Sequence, residues 1–257
     1  MSYDLQSFLS GPFDCMSPTD FHNSFFIRDL LPDKFYSIDF NEVGLDLSSV
    51  LEQSLEVFQM YDDKDIINKV KSVSESCNYH YEGIFPFHFR TNFLLKQSIV
   101  DTIITCPEIM DSSSYVFLGH EFHHVIKEFY PNERKLRDTL AEVIPMFYEL
   151  LSSDVAEEKI KKEILASRMA LLILDDKSFD SICSERALQY FNSFYYATCL
   201  YYCYKREPTK VLKYVSNVLK GKINTKDLLV LLDLYDNGMD SIVENEVKQF
   251  KEFIKNP

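Results

Sequence analysis

Glycine is scarce in this chain, with 6 residues in 257. Neither a G-x-G-x-x-G nor a Walker sequence occurs, so a glycine-rich loop cradling phosphate is excluded. Positive charge is short as well: 27 Lys and Arg stand against 40 Asp and Glu, for a net charge of −13. Nucleic acid and anionic membrane surfaces repel such a chain unless it carries a strongly basic patch, and none is visible. No apolar run is long enough to span a bilayer. The opening residues, M-S-Y-D-L-Q-S-F-L-S, put an acid where a secretory signal needs positive charge. Cytoplasmic residence is the expectation. The six cysteines, Cys15, Cys77, Cys106, Cys183, Cys199 and Cys203, form no C-x-x-C. Buried free thiols are expected, including Cys199 and Cys203 one helical turn apart.

What is present reads as a globular chain, 46% hydrophobic and rich in Phe and Tyr. Its length suits one domain, 1–257, with an N-terminal helical and loop region over 1–95 and a helical core over 96–257. Pro12, Pro18 and Pro32 interrupt the first stretch. Leu47, Val50, Leu51, Leu55 and Phe58, then Ile66, Ile67 and Val70, recur at helical spacing, and Asp62-Asp63 divides them into two helices. Tyr79–Arg90 and the β-branched run Ile99–Thr105 predict a small sheet. The second strand ends shortly before the next helix, and two roles are open to it: an edge that pairs with an extended peptide, or part of a purely structural hairpin. Helices are then predicted over Leu136–Leu151, Val155–Leu174, Ser184–Lys205, Thr209–Leu219, Thr225–Tyr235 and Asp240–Ile254. The fold class is mainly α, with one small β-sheet preceding the central motif.

That motif is Gly119–Lys127, G-H-E-F-H-H-V-I-K, which contains H-E-x-x-H at His120, Glu121 and His124. Residues four apart on a helix lie on one face, so His120 and His124 offer two imidazoles to one ion, and Zn²⁺ suits them. Glu121 stands roughly 100° round the helix from His120, badly placed as a ligand and well placed as a general base. Tyr115, Val116, Leu118, Phe122, Val125, Ile126 and Phe129 surround the motif with apolar side chains, and Ser112–Ser114 supply N-cap candidates. Two histidines in so apolar a setting carry a large desolvation cost unless something charged pairs with them.

A catalytic zinc site takes three protein ligands and keeps one position open. No histidine follows His124, so the third ligand is a carboxylate or an upstream histidine. His22, His80 and His88 lack ligand spacing. Glu128, about 12 Å along the helix from His120, is too far. Glu142 and Glu149 lie on the next helix, which a short connection folds back antiparallel. Glu142 is the expected ligand and Glu149, two turns later on the same face, its expected supporting carboxylate.

The run Ala141-Glu142-Val143-Ile144-Pro145-Met146-Phe147-Tyr148-Glu149-Leu150-Leu151 resembles the A-E-V-A-S-T-F-N-E-L-L helix of the thimet oligopeptidase and oligoendopeptidase F family. The motif helix resembles that family's A-H-E-F-G-H, and Phe194-Tyr195-Tyr196-Ala197-Thr198 its F-Y-x-Y-x-Y-A-T-G. The resemblance implies a zincin-like helical domain, Zn²⁺ on His120, His124 and Glu142, and Tyr196, with Tyr195, as transition-state donors. His123 stands where the family has Gly and is expected to bring a ring to the cleft wall. The family's histidine upstream of the tyrosines is absent, with Gln189-Tyr190 in its vicinity. The long N-terminal helical region of that family is mostly missing.

The leading expectation is therefore a zinc metallopeptidase acting on peptide or protein substrates. A narrower version is similar to the metalloproteases that cleave a repressor. The competing class is a non-catalytic, zinc-stabilised interaction protein. A ferritin-like di-iron protein needs two E-x-x-H sequences, and only Glu121-His124 provides one.

Overall fold

The computed structural model describes residues 45–81, 88–93, 100–106, 110, 114–128, 140–157, 161, 185–234, 241, 243 and 245. Among them the chain is mainly helical with a small sheet. Helix α1 (Leu47–Phe58) starts at Asp46, whose carboxylate accepts from the Ser49 N–H at 2.8 Å. That bond satisfies one of the donors a helix leaves free at its start. A 3-10 turn, Gln59–Tyr61, follows. Asp62 in the left-handed region then breaks the path, and Asp63 caps α2 (Lys64–Ser76) through the N–H groups of Asp65 and Ile66. The break thus falls at the acidic pair.

Three strands come next: β1 (Asn78–Tyr81), β2 (His88–Phe93) and β3 (Val100–Cys106). Their spatial order is β1-β3-β2, with β3 parallel to β1 and antiparallel to β2. This corrects the edge reading of Ile99–Thr105. β3 is the central strand: β2 pairs with Val100–Thr105 on one side and β1 with Ile103–Cys106 on the other, so the strand is not a sheet edge. The β-branched run that suggested a strand suits a centre at least as well as an edge. Gly83 and Pro86 lie outside the described residues.

Helix α3 (Ser114–Glu128) carries the motif. It packs on α1, α2 and α4 (Val143–Val155), and β2 also reaches it. The most extensive helix–helix contact joins α4 to α5 (Glu185–Arg206), against which α6 (Pro208–Leu219) lies, followed by α7 (Thr225–Leu231). α3 and α4 are thus the central pair. Residues Val143 to Ser153 are all buried, as a helix covered on both sides requires. Its hydroxyls close on its own carbonyls: Ser152 donates to Tyr148 at 2.8 Å and Ser153 to Leu150 at 2.6 Å.

Some expected helices have different bounds. The span predicted from Leu136 begins at Val143, with Leu140, Ala141 and Glu142 in a turn. Pro145 explains the late start. Proline lacks an N–H and clashes with the carbonyl four residues back, so it fits the first turn and not a helix interior. Val155 ends α4 and Ala156 is extended, so the helix predicted from Val155 starts later; within that span Lys161 is helical, its N–H bonding the Glu157 carbonyl at 2.9 Å. The segment 162–174, residues 1–44 with His22, and Phe129, Glu133 and Asp138 lie outside the described residues. Of Asp240–Ile254, only 241, 243 and 245 are described, each helical. α7 stops at Leu231, short of Tyr235, with Asp233 in the left-handed region at its end.

The α3–α4 contact depends on one glycine. A Cβ on Gly119 would lie 2.2 Å from the ring of Tyr148. The Tyr148 hydroxyl is meanwhile held under α1 by the Ser54 carbonyl at 3.1 Å. Gly119→Ala should therefore destabilise by about 3 kcal/mol through overpacking, well beyond the roughly 1 kcal/mol gained from better helix propensity. Urea titration checks this, and an equal or higher midpoint would show that the ring moves aside freely.

Candidate metal centre

Three side-chain atoms meet where α3 faces the start of α4. Nε2 of His120 lies 3.1 Å from Oε2 of Glu142, Nε2 of His124 lies 3.1 Å from the same oxygen, and the two nitrogens are 3.1 Å apart. The atoms form an equilateral triangle. His120 and His124 share it because they lie one turn apart on α3. Glu142 shares it because it is the N-cap of α4, in the turn Leu140–Glu142, where the Val143 N–H bonds the Leu140 carbonyl at 3.1 Å.

Three atoms that all bear lone pairs do not converge at this distance unless a proton or a cation stands between them. A tetrahedral ion with bonds of about 2.05 Å spaces its ligand atoms about 3.3 Å apart. One face of an octahedral ion with bonds of about 2.1 Å needs about 3.0 Å. The triangle falls between the two, so its size fits a first-row divalent ion without choosing the geometry. Two imidazoles and a carboxylate are donors suited to zinc.

Glu149 stands behind the triangle. It is 0% exposed, and its Oε1 lies 2.6 Å from Nδ1 of His120. An ionised carboxylate accepts, so Nδ1 carries a proton and Nε2 is the nitrogen turned toward the triangle. This is the histidine–carboxylate pairing that orients imidazole ligands in metal proteins. Burial alone would lower the pKa of His120, but the hydrogen bonds and charges of Glu142 and Glu149 outweigh it and lift it to about 10. Burial would raise Glu142, yet the two imidazoles hold it well below the ordinary carboxylate range. Glu121 is half-buried, and desolvation raises its carboxyl against the pull of both imidazoles.

His123 takes a different place from the one expected. It is fully buried on the core side of α3, stacked on Phe58 at 4.7 Å, and does not form part of a cleft wall. The reason is angular: relative to His120, positions 121 and 124 turn one way round the helix and position 123 turns the other. Tyr195 and Tyr196 are buried on α5, with rings edge-to-face at 5.5 Å. Their helix packs on α4, the element that Glu142 caps and that carries Glu149. Thr198, in the same run, turns its hydroxyl to the Phe194 carbonyl at 2.9 Å. His80 is exposed on β1, and the side chains of His88 and Glu128 lie outside the description. Sequence reasoning passed over Tyr61, Tyr148 and the spacing role of Gly119. Their only signal was an aromatic residue one turn into or out of a predicted helix, which packing supplies without any special site.

No protein-family model, curated protein or solved structure matches the chain.

The raised pKa of His120 has a direct consequence for metal binding. A proton sits on the cluster at neutral pH, and an ion bound at Nε2 must displace it. Zinc binding between pH 7 and 8 should release about one proton per ion, and affinity should rise with pH until the imidazole loses its proton unaided. Calorimetry in buffers of different ionisation heat measures this. Binding without proton release across that range would show that no proton occupies the triangle before the ion arrives.

Proposed function

We propose that this chain is a zinc-dependent peptidase that uses His120, His124 and Glu142 as metal ligands. The observation that carries the reading is the 3.1 Å triangle of those three residues, with buried Glu149 directly behind it. A zinc ion held there would polarise a scissile carbonyl and lower the pKa of water. Glu142 and the two histidines would hold the ion between both central helices. Glu149 holds the His120 ring in the tautomer that binds metal.

Glu121 is the general base. It follows His120 directly on α3, stands off the ligand face, and has a carboxyl raised above its ordinary value by burial. A raised carboxyl is a better proton acceptor near neutral pH than an ordinary one. It takes a proton from the attacking water and returns it to the leaving amine. Tyr196, with Tyr195 beside it, is assigned from the family resemblance as the hydroxyl that donates to the developing oxyanion; a phenol stays protonated at pH 7 and is suited to that task. The substrate class is peptides or proteins, and the cytoplasm is the proposed location. No helix among the described residues is long and apolar enough to cross a membrane.

A second reading has its own support. The ligands come from both α3 and α4, so a metal would also staple the central helices together, as in a non-catalytic zinc-stabilised protein. Two substitutions separate the readings. Glu121→Gln should keep zinc and abolish turnover of a mixed peptide library read by mass spectrometry. Tyr196→Phe should keep zinc and melting temperature while lowering kcat by roughly 10²–10³, the scale of one lost oxyanion donor. Zinc-loaded wild-type protein that cleaves nothing favours the staple. Full turnover in zinc-loaded Glu121→Gln eliminates the proposed base.

A further inference from the structure

We propose that His123 is a positioning residue of the metal centre, tying the motif's first turn to the 3-10 turn Gln59–Tyr61. The proposal rests on the metal-binding reading above. Nδ1 of His123 lies 2.7 Å from the Gly119 carbonyl oxygen, and Nε2 lies 2.8 Å from the Tyr61 hydroxyl. A carbonyl only accepts, so Nδ1 donates. Nε2 is then the acceptor, and the Tyr61 O–H donates to it. One neutral tautomer satisfies both bonds, and Tyr61 and His123 are both buried.

The ring is wedged where the central helices meet. It stacks on Phe58 at 4.7 Å and lies 4.8 Å from the Tyr148 ring, which itself rests on Gly119. Gly119 immediately precedes the ligand His120. Tyr148 immediately precedes Glu149, which holds His120 from the other side. The wedge therefore touches both elements that carry the centre, next in sequence to the groups that must meet within hydrogen-bond distance.

Packing alone does not account for an imidazole here. A hydrocarbon side chain would fill the space without two nitrogens to desolvate. What the imidazole adds is direction: one hydrogen bond to its own helix and one to Tyr61, at fixed angles on a rigid ring, hold α3 in register against the 3-10 turn that ends α1, while the ring rests against Tyr148 of α4. Metal sites need such support because ligand atoms must be held within about 0.5 Å of their working positions.

The test uses the full chain, with Zn²⁺ and Co²⁺ as probes in chelator competition and the visible absorption of bound Co²⁺ as a signature of coordination. Tyr61→Phe keeps the ring and removes the donor to His123. His123→Gln keeps a polar group near the position of Nε2 and removes the donor to Gly119. Leu228→Ala, at a buried position on the peripheral helix α7, supplies a comparable loss of stability without touching the wedge. Tyr61→Phe and His123→Gln should each weaken both metals about 10-fold, near the lower end for outer-sphere partners, and alter the Co²⁺ spectrum. Leu228→Ala should lower the melting temperature and change neither. Folded Tyr61→Phe or His123→Gln protein with wild-type affinity and spectrum overturns the positioning role, as would equal weakening in Leu228→Ala. Wild-type protein that binds neither metal overturns the metal-centre reading itself.

Discussion

A carboxylate with no exposed surface must be neutralised where it stands, and Glu149 is such a group. Removing an ion from water costs several kcal/mol even after relaxation, and only a well-placed partner offsets it. The partner is Nδ1 of His120 at 2.6 Å. That single pairing fixes the orientation of the His120 ring and the face on which its second nitrogen appears. It also sets how close α4 must come to α3. The glycine at 119 permits the approach, since any side chain there would overlap Tyr148. The triangle at the start of α4 follows from the same approach: once Glu149 reaches His120, Glu142 two turns earlier comes level with both imidazoles.

This arrangement explains why the two central helices differ in character. α3 carries His120 and His124 on one face, and Leu118, Phe122 and Val125 on the opposite one are buried. α4 is buried from Val143 to Ser153; Ser152 and Ser153 close on its own carbonyls, Glu149 pairs with His120 on α3, and the Tyr148 hydroxyl donates to the Ser54 carbonyl on α1. The helices at the periphery carry the ordinary devices of exposed elements. Asp46 and Asp63 cap α1 and α2, and Asn224 and Asp227 form a reciprocal capping box on α7. Lys220 binds Asp63 at 2.7 Å and Asp65 at 3.0 Å, tying the end of α6 to the start of α2.

The helices of the N-terminal half were legible because apolar spacing and an acidic pair both point to the same break. Convergence of His120, His124 and Glu142 was legible too, since helical spacing places the first two together and a short connection brings the third back. The start of α4 was less so. Leu140 continues the apolar period, and only the steric demand of Pro145 and the turn before it show that the helix begins later. The sheet order lay beyond local reading, because a β-branched run looks alike at an edge and at a centre. His123 was misplaced for a similar reason: comparison with a glycine at that position says nothing of the direction a histidine takes, whereas the angle from His120 places it toward Phe58 and Tyr61.

The account stands or falls on what surrounds a zinc ion bound by this protein. X-ray absorption at the zinc edge reads that shell directly. The account predicts one zinc per chain with two imidazole nitrogens at about 2.0–2.1 Å and a carboxylate oxygen at about 2.0–2.2 Å. Sulfur scattering at about 2.3 Å would place the metal on the cysteines. A shell of water and carboxylates without imidazole would mean that His120 and His124 pair with Glu142 and Glu149 for structure alone; either result contradicts the central claim.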